Sequence, residues 1–323
     1  MKILYITDFE EIAKQNGGYI SDYLSDLTFH GLKELYGDDV TAFVPPLHLY
    51  KGNRDGVCDH LFKNGNMEEH FWGGFTSFYL LDKDYDERVF GSKKEVKEYF
   101  NEMEINIKYQ KYDLIIYGSF RRCTHLFTLV KENYPQEKIV LLDGEDDDQL
   151  SEVVNEGFLY FKRELPDFHN LPSNIKPITF GYPEVHLSKI NKSKTQQLGT
   201  VVPGDKSTYI FKNSEYSSTT EKEYYDDYNK SYFGLTEKKA GGDCMRHYEI
   251  MGNYCLPYFP DINFCPKNTL WNFPKELIIE GNQLKDNFDE QEYFRILDKM
   301  FKYFKENLTT KAVAQDLINR INE

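Results

Sequence analysis

Nowhere in its 323 residues does this chain offer the roughly 18 consecutive apolar residues of a membrane-spanning helix, so none is expected. Positive charge is also scarce: 39 Lys and Arg stand against 53 Asp and Glu, a formal net charge of −14. A duplex-binding face needs clustered bases to displace counterions from phosphates, and no dense Lys/Arg run is present. Nucleic acid is therefore not expected as the main partner. The five cysteines (Cys58, Cys123, Cys244, Cys255 and Cys265) are odd in number and form no C-x-x-C pair. That pattern fits reduced, buried thiols of a cytoplasmic protein better than a disulfide framework. The opening "MKILYITDFEE" reaches acidic residues after one short apolar run and is not expected to act as a signal peptide. The eight histidines show no H-x-x-H or H-E-x-x-H pattern, and no G-x-S-x-G elbow, P-loop or internal repeat occurs.

Aromatic and apolar material is abundant. With 25 Tyr, 24 Phe and 40% hydrophobic residues the chain can bury a sizeable core, and its length suits two domains of about 150 residues each. "KILYIT" (2–7) is a short apolar run, followed by a polar loop carrying Gly17 and Gly18. Ile20, Leu24, Leu27, Gly31 and Leu35 then recur at helical steps, and "VTAFV" (40–44) reads as the next strand. Strand, glycine loop, helix, strand is a βαβ opening. "DLIIYG" (113–118) and "KIVLLDG" (138–144), near-continuous apolar runs, read as parallel strands covered on both faces, with a helix over 124–134 between them. The segment from about 50 to 110 is an insertion, helical over 92–103. A proline-spaced stretch, 166–183, marks the boundary between a first domain (1–180) and a second (181–323). In the second, strands are expected at "QLGTVVPG" (197–204), "SYFGL" (231–235) and "KELIIE" (275–280). Two helices close the chain, the last capped by Thr309 or Thr310. The fold class is α/β.

One stretch concentrates chemistry. In "KKAGGDCMRHYEIMGNYCLPYF" (238–259), Gly241 and Gly242 open a helix expected over 244–252. Glycine-rich strand-to-helix junctions suit anions, because free N–H groups and the helix dipole favour negative charge. Lys238, Lys239 and Arg246 add positive charge, Asp243 sits at the junction, and Arg246 and Glu249 share one helical face. A guanidinium for phosphate oxygens and a carboxylate for sugar hydroxyls would read a nucleotide sugar; the bland alternative is an exposed salt bridge on a surface helix.

An Arg, then a Glu followed by "IMGNYCLPYF", resembles the donor-site helix of GT-B glycosyltransferases, with Glu249 matching their glutamate and Pro257 their proline. "GGYISDYLSDLTFHGLKELYG", "YDLIIYGS", "LLDGED" and "SYFGLTEKKAGGDCMRHYE" are similar to a glycosyltransferase-like group of bacteria and large DNA viruses. The resemblance implies two Rossmann-like domains facing across a cleft. It also implies a UDP-, GDP- or dTDP-sugar donor, a glycan or related hydroxyl acceptor, and no obligatory cofactor or metal. For a viral member the compartment would be the host cytoplasm. Two positions depart from the pattern. Tyr254 stands where many GT-B sequences have Gly, and Gly241 stands where retaining members carry a first glutamate, with Asp243 the nearest acid. A sugar- or nucleotide-binding protein that keeps the fold without the chemistry is the alternative.

Further candidates come from strand ends. Gly17 and Gly18 lie at the crevice end of the first βα unit. Asp22, Asp26 and His30 follow on one helical face, where a solvated polar face is the plainer account. Asp22 is the candidate general base; at about 1.5 Å per residue His30 lies roughly 12 Å further along and cannot touch the same atom. Ser119 and Arg121 follow the strand at 113–118, Asp143 ends the next, and Trp72 and Thr76 lie in "FWGGFT" (71–76), whose aromatic groups beside flexible backbone suit sugar stacking, with core packing an equally good account of Phe71 and Trp72. "DGEDDD" (143–148) is expected to be a solvated acidic loop rather than a metal site.

Overall fold

A computed structural model describes residues 1–7, 22–51, 76–167, 170–199 and 221–323. Six parallel strands form the first sheet in the order β2-β1-β3-β4-β5-β6: β1 (Ile3–Ile6), β2 (Val40–Ala42), β3 (Leu114–Tyr117), β4 (Ile139–Asp143), β5 (Leu159–Lys162) and β6 (Ile175–Pro177). The apolar runs of β1, β3 and β4 are buried throughout because helices cover both faces. On one face Ile3, Tyr5, Leu114, Ile116, Val140 and Leu142 meet helix α1 (Tyr23–Tyr36). On the other, Leu4, Ile6, Ile115, Tyr117, Ile139 and Leu141 meet α2 (Lys93–Lys108) and α3 (Phe127–Asn133). The capping box of Ser92 and Glu95 starts α2, which runs five residues beyond the expected Met103. Strand order reverses at β1, with β2 on one side and β3 on the other. The carboxyl ends of β1 and β3 therefore flank a switch point, where an open α/β sheet leaves a crevice.

A second, three-stranded parallel sheet follows, β7 (Gln196–Leu198), β8 (Ser231–Leu235) and β9 (Leu256–Tyr258), in that order. Helix α4 (Glu221–Asn229) leads into β8, and α5 (Met245–Gly252) joins β8 to β9. The expected strand at 275–280 is instead helix α6 (Lys275–Gln283). "KELIIE" carries its apolar residues in a block, so its period is ambiguous. Contact with β9 decides it, because Ile278 and Gly281, one turn apart, are both buried against that strand.

Helix α7 (Glu290–Asn307) packs on α5, and α8 (Thr310–Ile321), capped by Thr309, lies along α1 of the first layer. Gly31 permits that approach: a Cβ there would stand 2.1 Å from the Thr310 carbonyl oxygen. Tyr182 N–H donates to the Leu308 carbonyl at 2.9 Å and Thr310 N–H to the Tyr182 carbonyl at 3.0 Å, fixing where the chain returns. One apolar cluster runs from Leu24 and Leu27 through Phe180 and Tyr182 to Tyr248, Phe233 and Leu256, so the two sheets share a core. Among the described residues no helix is long and apolar enough to cross a membrane.

Candidate functional site

The carboxyl ends of β3, β4 and β5 bring residues 118–122, 143–148 and 163–164 to one edge of the first sheet. Residues following β8 and β9 meet them there, and the junction before α5 is the point of contact. Its local structure is held by His247. The ring donates from Nε2 to the Gly242 carbonyl (3.0 Å), accepts at Nδ1 from the Thr236 hydroxyl (2.9 Å), and stacks on Phe259 with centroids 4.6 Å apart. Burial pushes its pKa down to about 4, so it is neutral and structural. Cys244, at the N-cap, lies 3.3 Å from the same ring, but burial raises its thiol to about 11, which excludes a thiolate nucleophile near neutral pH.

Along α5, Arg246 and Glu249 lie on one face as expected, yet they form no ion pair. Glu249 is 4% exposed, and its carboxylate accepts 2.6 Å bonds from the hydroxyls of Thr76 and of Tyr224 on α4. Thr76, a sequence candidate from the first half, thus meets Glu249 from the second. The Arg246 Nε and Nη1 atoms are buried without a hydrogen-bond partner. Burial opposes the guanidinium's charge, but Tyr228, Tyr224, Cys244 and Glu249 around it outweigh that opposition and hold its pKa above the usual value. A buried donor left unsatisfied costs about 1–3 kcal/mol, and more when charged. An anion beside Arg246 would relieve that cost. The surface salt bridge is therefore not what forms here.

The glycine junction differs from expectation. The N–H groups of Gly242 and Asp243 are already taken, donating to the Glu164 carboxylate at 3.0 and 2.8 Å. Gly241 has a steric reason to lack a side chain, since a Cβ there would lie 2.6 Å from Glu164 Oε1. Arg163, 1% exposed, donates to Glu164 (2.7 Å), to the Gly144 carbonyl (3.1 and 3.0 Å), and by short bonds to the Asp243 carbonyl and Asp146. Asp243 is buried and accepts from the Thr179 hydroxyl (2.9 Å) and the Tyr248 hydroxyl (3.0 Å). Burial raises its pKa to about 6 despite Arg163. Lys239 is exposed beside this knot. Nothing in the local sequence pattern paired Glu164 with Gly242.

In the first half, Asp22 is the N-cap of α1: Oδ1 accepts from Ser25 N–H at 3.1 Å and Oδ2 accepts a short bond from the Ser119 hydroxyl. Two candidates are thereby brought together at the switch point. The expected solvated face of Asp22, Asp26 and His30 is instead buried. Asp26 pairs with His48 (2.8 Å), and His30 meets Thr310 (2.9 Å), because α8 covers the helix. Nor is 143–148 a simple solvated loop. Asp143 is buried, accepting from Tyr160 (2.6 Å) beside the Lys162 ammonium (3.2 Å). Glu145 pairs with Arg122, Asp146 with Arg163, and Asp147 with Arg121. These cations hold the run in place, and Arg121 is committed to it. Gly17, Gly18 and Trp72 lie outside the described residues.

A cavity of about 530 Å³ opens beside the knot, lined by Asp148, Glu164, Lys238, Gly242 and Asp261, with Phe264, 85% exposed, also on its wall. No known protein-family model matches the chain, and no curated protein matches it. The site is therefore read from its own chemistry.

The buried imidazoles carry a stability prediction. His30, His186 and His247 each fall to about 4 from an ordinary 6.5, chiefly through burial. Unfolded histidines take up protons between about pH 6.5 and 4 while the folded ones do not, so stability falls as pH drops through that window. Asp243, raised to about 6, and Asp26, Asp143 and Glu34, each also raised chiefly by burial, act in the opposite direction as pH falls, which offsets part of the loss. We expect the unfolding free energy at pH 4.5 to be on the order of 1–4 kcal/mol below that at pH 7. Urea melts at the two pH values measure it, and equal midpoints would contradict the assignment of neutral, buried rings.

Proposed function

We propose that this chain is a glycosyltransferase that moves a sugar from a UDP-, GDP- or dTDP-sugar to a hydroxyl of a glycan or related acceptor. Two Rossmann-like units facing across a cleft are part of the same proposal, which the two parallel sheets meeting at their carboxyl ends support. The observation that carries it is Arg246, half-buried, whose Nε and Nη1 atoms are buried without a partner next to a hydroxyl-bound Glu249. A departing diphosphate is the anion that would satisfy those donors, and Glu249 with Thr76 and Tyr224 forms a hydroxyl-reading group beside it. Lys239 is the outer cation of the donor side. Asp22 and Ser119, at the switch point, are the acceptor-side groups, with Asp22 the general base of an inverting transfer. The same proposal includes no metal, which the pairing of Asp143, Glu145, Asp146 and Asp147 with lysine and arginine side chains supports.

The test pairs binding with turnover. A nucleoside diphosphate at about 100 times its Kd stabilises a folded protein by about 2.7 kcal/mol, which a thermal melt resolves. We expect one of the UDP, GDP or dTDP series to raise the Tm, and the matching sugar to be transferred or hydrolysed in excess chelator. If no member of the series shifts the melt and no sugar is released, the proposal fails. A second reading, a binding protein without chemistry, is favoured by Glu164 holding the amides before α5. Binding with no turnover on any acceptor would select it.

A further inference from the structure

A strand-to-helix junction whose amides point outward is a place for an anion, and here the anion is part of the chain. Both oxygens of the Glu164 carboxylate are used: Oε2 accepts from Gly242 N–H, while Oε1 accepts from Asp243 N–H and Arg163 Nη1. The absence of a side chain at Gly241 is what lets the carboxylate in, because a Cβ would stand 2.6 Å from Oε1. Arg163 is also bound to Asp146 and lies beside the Asp243 carboxylate, so its single charge already faces three acids. A further anion brought to the junction would meet net repulsion while Glu164 stays. Glu164 and Gly242 both line the 530 Å³ cavity, which gives the carboxylate room to leave. One turn further along α5, Arg246 keeps two buried nitrogens unpartnered.

We infer that Glu164 is an autoinhibitory contact: its carboxylate occupies the Gly242 and Asp243 amides, and an anionic group of a ligand takes them only once Glu164 has swung into the cavity. The inference rests on the anion reading of this junction and not on sugar transfer. Opening requires three charge-assisted bonds to be exchanged, so the ligand-free chain is held in the blocked state. A ligand bearing two or more negative charges replaces one carboxylate with more acceptor oxygens, which makes a diphosphate a better displacer than a single carboxylate.

The experiment titrates inorganic pyrophosphate into the full chain by calorimetry, comparing wild type with Glu164→Gln, Glu164→Ala and Asp148→Asn. Asp148 lines the same cavity and is exposed, so it controls for the loss of one negative charge. We expect pyrophosphate to bind at least about tenfold more tightly to Glu164→Ala than to wild type, with Glu164→Gln intermediate because its amide oxygen still accepts one bond. Asp148→Asn should change the affinity less than about twofold. If Glu164→Ala does not fold, the Gln variant alone decides. No tightening in folded Glu164 variants, or equal tightening in Asp148→Asn, overturns the inference. Sugar transfer by wild type is scored separately. Transfer without tightening removes only the autoinhibitory contact, and tightening without transfer removes only the glycosyltransferase.

Discussion

Replacing Arg246 with methionine should weaken donor binding and transfer and, in the same protein, raise the Tm measured without ligand. The two effects have one cause. Nε and Nη1 are buried without partners, so the ligand-free fold leaves two donors unsatisfied even though the neighbouring Tyr228, Tyr224, Cys244 and Glu249 favour the charge. Methionine keeps much of the apolar stem and removes the charge, and exchanging buried ions for apolar side chains of similar size is often neutral or stabilising. A gain of about 1–3 kcal/mol is the range expected for removing an unsatisfied buried donor. Transfer should fall by about 10²–10³-fold, the usual worth of a donor aimed at developing negative charge. Melting curves and kcat/KM with the matching nucleotide sugar test both halves. Turnover within a few-fold of wild type would remove Arg246 from the donor site. A fall in Tm without ligand would show that the orphan nitrogens are satisfied in solution.

Asp22→Asn should separate catalysis from folding in the other half of the molecule. Asp22 caps α1 through Oδ1 and accepts from Ser119 through Oδ2. Asparagine caps helices about as well as aspartate, so the fold should be nearly unaffected. It cannot take a proton from an acceptor hydroxyl. Loss of a general base lowers rates by about 10²–10⁴-fold, which is the fall we expect in transfer, with nucleotide affinity unchanged. Ser119 is the first group to rearrange, since its hydroxyl must release Asp22 as the substrate hydroxyl arrives. Product NMR should show inversion at the anomeric carbon. Retention, or normal transfer by the variant, would leave Asp22 with the capping role alone.

Much of this architecture was readable from local pattern. The apolar runs at 3–6, 114–117, 139–143 and 231–235 became parallel strands. The single apolar face of Tyr293, Leu297, Met300 and Phe304, and Thr309 before 310–321, became the two closing helices. Asp22 and the helix behind it, and Arg246 with Glu249 on one face of α5, were also placed by spacing. Such features depend on residues within a few positions of each other, and hydrophobic period and capping report that range well. "KELIIE" failed because a block of apolar residues fits either period, and only its packing on β9 chose the helix.

What the sequence alone determined, then, is the α/β class, the acidic balance, and a charged helix following a glycine junction. Tertiary structure decided what those charges touch. Thr76 reaches Glu249 across 173 residues, and Glu164 reaches Gly242 across 78. His48 against Asp26, and α8 against His30, turned a polar stripe on α1 into buried groups. The physical reason is that a hydrogen bond between distant segments leaves no periodic trace in one chain. Its donor and acceptor are ordinary polar residues until folding removes the water between them. Whether a glycine junction is open to a ligand or closed by the protein's own carboxylate is settled only there.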